Sequence, residues 1–308
     1  MRRTVEFDAF GPWILQVQSQ EDVPRLYRKH PLDLDTARLV LKVPRVISRR
    51  DANSDMDLYD HLVVAGATSL TVLSRRGDTY QSAEVPYARI AAVSTSVALL
   101  DGLLVVHDVE GAAAAGVAVT FRYNGVSDDL VKQLVGILRA QAGAAAPPSW
   151  AGATAQAQHA TPGTRDLGDA DIALVTEQHE LAEHDGLVTL GMHMRTVVRR
   201  RSGSMRGVLD MLRPVTLHAA IVSVGSGELH VVHRRRWFTT GKKPVHSVAH
   251  TVVILPHVTS VTADEMLRYA EVRAVQITSG RSVVEVPFPE GAESGAAIQR
   301  AVAALAAG

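Results

Sequence analysis

One order of segments occurs twice along the chain, and a repeat of this size restricts the architecture more than any single residue does. In the first half, His61–Arg76, Val85–Val93, Gly102–His107 and Val117–Tyr123 lead to Asp128–Ala140. In the second half, Ala219–Arg236, Thr251–Val261, Tyr269–Ile277 and Ser282–Phe288 lead to Ser294–Ala306. A further parallel precedes both sets. Val43–Arg50 and Met194–Arg201 each end an early strand in a basic run ahead of a polar loop.

Within each copy the segments are short, rich in β-branched residues and separated by Gly, Asp, Asn or Ser, which predicts consecutive antiparallel strands. Only the last segment changes period. Leu130, Val131, Leu134, Val135, Ile137 and Leu138 recur at three- and four-residue spacing, and so do Ile298, Val302 and Leu305. Each copy is therefore expected to close with an amphipathic helix whose apolar stripe covers a sheet. The fold class that follows is mainly β with α: two tandem antiparallel sheet, sandwich or barrel domains, each closed by a C-terminal helix.

The copies are separated by 142–172, where small residues and prolines without an apolar period read as a linker. That places the first domain at 36–141 and the second at 173–308. Trp150 is the exception in the linker, an aromatic expected to dock on a neighbouring domain. Residues 1–35 hold an apolar cluster (Phe7, Phe10, Trp13, Ile14, Leu15) and a short helix near Glu21–Lys29, and they read as a segment packing on the first domain.

About six or seven antiparallel strands followed by one helix, in roughly a hundred residues, resemble the pleckstrin-homology-like fold, including its bacterial and GRAM-type relatives. The resemblance covers Tyr59–Ala140 and Ala219–Ala306 and rests on element order, on the strands ending Ser74-Arg75-Arg76 and His233-Arg234-Arg235-Arg236, and on the closing helix. It implies a binding module. In lipid-binding members, basic residues on the loop between the first two strands hold inositol phosphates; Arg199, Arg200, Arg201 and Arg206 occupy a position of that kind, with Arg49 and Arg50 a weaker counterpart.

Formal net charge is zero, but its distribution is uneven. Eleven basic residues between Arg195 and Lys243 face two acidic ones, Asp210 and Glu228, whereas seven acidic residues between Asp166 and Asp185 follow Arg165 alone. The run Arg199–Arg201 with Arg206 suits phosphate, because guanidinium forks match its oxygens and Gly203 and Gly207 allow close backbone approach. The alternatives are a solvated loop or pairing with the acidic block. Arg234, Arg235 and Arg236, with Trp237, Phe238, Lys242 and Lys243, read as a hairpin tip that meets an anionic membrane or single-stranded nucleic acid. In the competing reading the rings pack inward.

The absence of cysteine excludes disulfides, thiolate nucleophiles and iron–sulfur clusters, and it fits a reducing, cytoplasmic setting. No export signal or long uncharged apolar run is recognised. Nine of thirteen histidines lie between His179 and His257. His230 and His233 have an odd spacing that puts them on opposite faces of a strand, while His246 and His250, four apart, suit a helix or one strand face. Without a His-Glu-x-x-His, phosphate loop, dinucleotide fingerprint or nucleophile elbow, no enzyme, metal or cofactor is expected; Asp57, Asp60 and His61 read as a solvated strand edge. The expected function is a non-catalytic adaptor acting on an unknown protein partner or by self-association, through sheet edges and helix-capped grooves. The alternative is peripheral binding to anionic lipid or another polyanion through the basic face of the second domain, with nucleic acid the lesser candidate.

Overall fold

The computed structural model describes residues 4–144, 162–201, 214–225, 227–241, 245–292 and 295–299. The first half contains helix α1 (Val5–Ala9) and strands β1 (Leu15–Gln16), β2 (Leu39–Pro44), β3 (Tyr59–Ala65), β4 (Ser69–Arg76), β5 (Thr79–Pro86), β6 (Ile90–Ala98), β7 (Asp101–Asp108) and β8 (Val117–Asn124), then helix α2 (Asp128–Ala144). Helices α3 (Thr164–Leu167) and α4 (Ile172–Asp185) open the second half. Its strands are β9 (Val188–His193), β10 (Thr196–Arg200), β11 (Val215–Leu217), β12 (Ala220–Gly225), β13 (Glu228–His233), β14 (Phe238–Thr240), β15 (Ser247–Ile254), β16 (Ser260–Glu265), β17 (Tyr269–Ala270), β18 (Val272–Ser279) and β19 (Ser282–Pro289). The protein is mainly β, as expected, and its sheets are antiparallel and open, with no barrel closed among the described residues.

Two runs read from the sequence as single segments fold as hairpins. His61–Arg76 breaks between β3 and β4 at Gly66, and Ala219–Arg236 breaks between β12 and β13, where Gly227 takes a φ of 83°. The expected order is seen in part. In each half, the strands before a 3-10 turn (Tyr87–Arg89, Leu255–His257) are followed by a three-stranded meander, β6–β7–β8 or β16–β18–β19.

The meander of the first half is not an isolated sheet. Its edge strand β6 pairs with β15 from Ser247↔Ala98 to Val253↔Ala92, so that seven strands run continuously in the order β8-β7-β6-β15-β13-β12-β9. Val252 and Ile254 of β15 are consequently buried in the same core as Leu104, Phe121 and Leu134 of the first half. A second junction lies at the β18–β19 turn. Arg281 donates its N–H to the carbonyl of Val109 at 2.7 Å, and a Cβ at Gly280 would stand 2.3 Å from that oxygen. Gly116, with φ of 69°, is equally tight against the backbone of Ser282, so only glycine fits at both positions.

Helix α2 begins after Ser127 and buries Val131, Leu134, Val135 and Leu138 on the sheet, the stripe its periodicity predicts. In the second half residues 295–299 are helical and Ile298 is fully buried against β18 and β19. Val302 and Leu305 lie outside the described residues. The N-terminal segment covers one face of the sheet β1–β5, placing Phe10, Val17, Val23 and Tyr27 against Tyr59, Leu62 and Leu73, with 3-10 turns at Gln20–Asp22 and Arg25–Tyr27 in place of a regular helix.

The expected linker is folded in its last part. Leu167 is buried beneath α4, and Asp171 sits at the start of that helix with 1% exposure. Helix α4 itself occupies the acidic block, with Leu174 and Val175 turned toward Ile221 and Val232 of the sheet. Trp150 lies outside the described residues.

Candidate functional site

The strands that join the halves carry polar side chains in their middles. Thr95 of β6 stands opposite His250 of β15, and Ser94 opposite Thr251. Alternation sends Thr95, Val97, Val248 and His250 to the face that carries the helices. Helix α2 covers the first half of that face and α4 the second. Between them lies a cleft of about 600 Å³, floored by those four side chains and walled by Asp128 and Lys132 of α2 and Ile172, Ala173 and Glu177 of α4. Asp169 and His246 also line it, the latter on the same side as His250, as their spacing predicts.

From His250 a buried polar array runs along the same face of the sheet. The His250 Nε2 is 2.9 Å from Nδ1 of His230, whose Nε2 is 3.1 Å from Oε2 of Glu228. Arg139, reaching across from α2, donates to the same oxygen at 3.0 and 2.6 Å and to Asp185 at 2.8 Å. Burial alone would raise the Glu228 carboxyl, but hydrogen bonds from His230 and Arg139 hold it below its ordinary range. Burial lowers both imidazoles, His250 well below its usual value.

These directions fix the protons. An ionised Glu228 only accepts, so His230 donates from Nε2; being neutral, it accepts at Nδ1 from the Nε2–H of His250. His250 is neutral too, so its Nδ1 holds a lone pair. Among the described residues this nitrogen makes no hydrogen bond, and His250 lines the cleft. A carboxylate buried in the sheet therefore presents, through two rings, a hydrogen-bond acceptor at the cleft floor.

The opposite face holds a smaller cavity of about 250 Å³, lined by Ser94, His233, Arg235, Trp237 and Thr251 and roofed by Val283–Val286. His233 donates from Nδ1 to the Arg234 carbonyl at 2.8 Å, leaving Nε2 to accept from Thr251 Oγ1 at 3.2 Å, which lies 2.9 Å from Ser94 Oγ. The order of hydroxyl, imidazole and orienting carbonyl matches a base-activated nucleophile. Thr251, however, lies inside a strand paired on both sides and is 6% exposed, so its hydroxyl is held as packing.

The basic residues expected to form one face are dispersed. Arg199 and Arg236 are exposed, Arg200 is half-buried and partnered, and Arg201 is ion-paired to Glu265 at 2.7 Å. Arg206, Lys242 and Lys243 lie outside the described residues. Arg234 is 3% exposed and grips Asp171 at 2.8 Å, donating also to the carbonyls of Ser247 and Ala170. Arg235 crosses to the other side, bonding Asp101 at 2.6 Å and Ser96 at 2.8 Å. Consecutive residues in extended chain point to opposite faces, which divides Arg234 from Arg235 and delivers each to a carboxylate of a neighbouring element. Neither is offered to a polyanion. The two rings of the expected tip also turn inward: Trp237 stacks on His233 at 4.1 Å, and Phe238 on Tyr269 at 4.1 Å.

Sequence reasoning missed the Arg139–Glu228–His230–His250 array. The signal available was Glu228 and His230 two apart, hence on one strand face, next to an arginine placed at the core edge of a predicted helix. Among the described residues no three His, Asp or Glu side chains converge as a metal site. No protein-family model, curated protein or solved structure matches the chain.

Proposed function

We propose that this chain is a non-catalytic binding module, two tandem pleckstrin-homology-like copies fused along one sheet, which takes its ligand in the cleft between α2 and α4. The observation that carries the reading is the cleft itself: about 600 Å³ at the junction of the copies, within the range of clefts that hold small ligands or a partner's side chains. The shared element order of the two halves supports the family reading. The buried tautomer chain supports binding, because a fixed acceptor on a rigid sheet orients whatever enters. The test is a ligand screen read by melting temperature, run in parallel on the native protein and on Ala173→Trp, which fills the cleft from an exposed helix position. Ligands that raise the melting temperature of the first and not of the second support the reading; ligands that act equally on both refute it.

A second reading, peripheral attachment to anionic lipid, is favoured by one feature of the second half. Leu267 is 90% and Val197 53% exposed, beside Arg199 and Arg201, whose strand is bonded to Arg268 and pairs with β17. Apolar tips flanked by arginines suit insertion at a charged interface. Binding to vesicles of anionic composition that falls steeply between about 50 and 200 mM salt, and that Arg199→Ser with Leu267→Ser removes, is the expected outcome.

A further inference from the structure

We propose that the cleft between α2 and α4 is an ammonium site, built to take the protonated amine of an alkylamine, either free or carried on a lysine side chain. This rests on the reading that the cleft binds a ligand at all, and goes on to name the ligand's chemistry.

The lining has more acceptors than donors. Three carboxylates, Asp128, Glu177 and Asp169, face one ammonium, Lys132, which lies 3.5 Å from Asp128. Arg234 also borders the cleft, but its guanidinium is committed to Asp171 and to two carbonyls. A second and independent feature is His250. It is 8% exposed, lines the cleft, and keeps a lone pair on Nδ1 that no described residue uses. That lone pair is fixed by the ionised Glu228 two bonds away, held in turn by Arg139. A group that enters is met by carboxylates on the walls and by an acceptor on the floor.

Each feature selects the same chemistry. An anion would meet three like charges against the single ammonium of Lys132, itself paired to Asp128, and a neutral hydroxyl would use one acceptor and leave the rest unanswered. An ammonium group brings three donors and a positive charge, and charge-assisted hydrogen bonds are roughly twice as strong as neutral ones. Burial above all raises the Glu177 carboxyl, with Lys132 opposing and Glu180 and Asp128 adding to it, so an incoming cation would relieve the site. The apolar parts of the lining, Val97, Val248, Ile172 and Ala173, suit the attached alkyl chain.

The experiment uses the full chain and five probes, with binding followed by calorimetry and by amide chemical shifts. The probes are n-pentylammonium, n-pentanol, pentanoate, N-acetyl-lysine methylamide and N-acetyl-norleucine methylamide. The expected result is that each amine binds at least tenfold more tightly than its uncharged or anionic counterpart. Glu177→Gln and Asp169→Asn, the first half-buried and the second exposed, should each weaken the amines several-fold while leaving pentanol unchanged, and Ala173→Trp should abolish every signal. The preference between n-pentylammonium and the lysine amide assigns the source as a free amine or a protein side chain. If pentanol or pentanoate binds as tightly as the amine and Ala173→Trp removes both, the cleft stands as a binding site and the ammonium assignment falls. If no probe binds at millimolar concentration, or binding survives Ala173→Trp, both fall.

Discussion

Cutting the chain within 145–161 should leave one particle. The segment is made of small residues and prolines, suited to a protease site, and the sequence alone predicts that the cut releases two independent domains. The junction argues otherwise. Separation would break the β6–β15 ladder from Ser247↔Ala98 to Val253↔Ala92, where each hydrogen bond contributes a net of about 1 kcal/mol. It would uncover Val252 and Ile254, 1% and 0% exposed, at about 1.5–3 kcal/mol each. It would also strip Arg139 from Glu228 and Asp185, charge-assisted hydrogen bonds that contribute a net of about 1.5–3 kcal/mol each. The gross loss is roughly 15 kcal/mol; against an association entropy of up to about 7 kcal/mol, in the lower part of its usual range, the remainder reaches the roughly 8 kcal/mol of a micromolar complex, and the cut protein should hold together at tens of micromolar. Size-exclusion chromatography of nicked protein should show the intact elution volume, and urea should unfold both pieces in one transition. Two fragments that elute apart, each with β-type circular dichroism, would refute the argument.

Arg139→Met should lower stability by about 3–5 kcal/mol, because it leaves Glu228 charged and buried with His230 alone; an unchanged urea midpoint would show that the array is solvated. Arg234→Ser should cost a similar amount through Asp171, whereas Arg199→Ser on the exposed strand should shift the midpoint by less than about 0.5 kcal/mol, a contrast that equal effects would remove. Acid should weaken the fold through its buried histidines. Burial pushes His193 and His233 down to about 4 from 6.5, so above pH 6.5 both states are neutral and the contribution is fully present. Below 6.5 the unfolded chain takes up protons that the native state refuses, and stability falls until about pH 4, by on the order of 3 kcal/mol for each ring. Urea midpoints at pH 7 and pH 5 check the sign, and a midpoint that rises on acidification would contradict it.

Most strands and the stripe of α2 were legible because alternation and helical period are local. Leu134 and Leu138 are buried where their spacing put them, and His230 and His233 do face opposite sides of β13. Helix α4 was hidden for a reason equally physical: charge counting registered seven acidic residues over 166–185, four of them in the helix itself, while its inner face needs only Leu174, Val175 and Gln178. The pairing of β6 with β15 could not be read, since nothing in a strand's own sequence names a partner more than a hundred residues away. That one missing register also concealed the site. His250 meets His230 only through the β13–β15 ladder, and Thr95 meets His250 only across the junction.

The position of the cleft follows from the two helices that flank it. A helix laid on a sheet covers roughly its own diameter, about 10 Å, so two helices that each serve their own half leave a gap where the halves meet. The strands below the gap are freed from the demand for apolar packing, and β6 and β15 hold Thr95 and His250 there instead of valine. A ligand in that gap would touch α2 and β6 from one half and α4 and β15 from the other, and would bind the joined form but not the separated pieces. It should therefore raise the stability of the nicked protein by RT ln(1 + [L]/Kd), about 2.7 kcal/mol at a hundredfold excess over Kd. Urea titration of nicked protein with and without a saturating amine measures this directly. An increase of that size, lost in Ala173→Trp, would place the ligand across the junction. The same increase in an isolated half would place it within one copy and refute the argument from the gap.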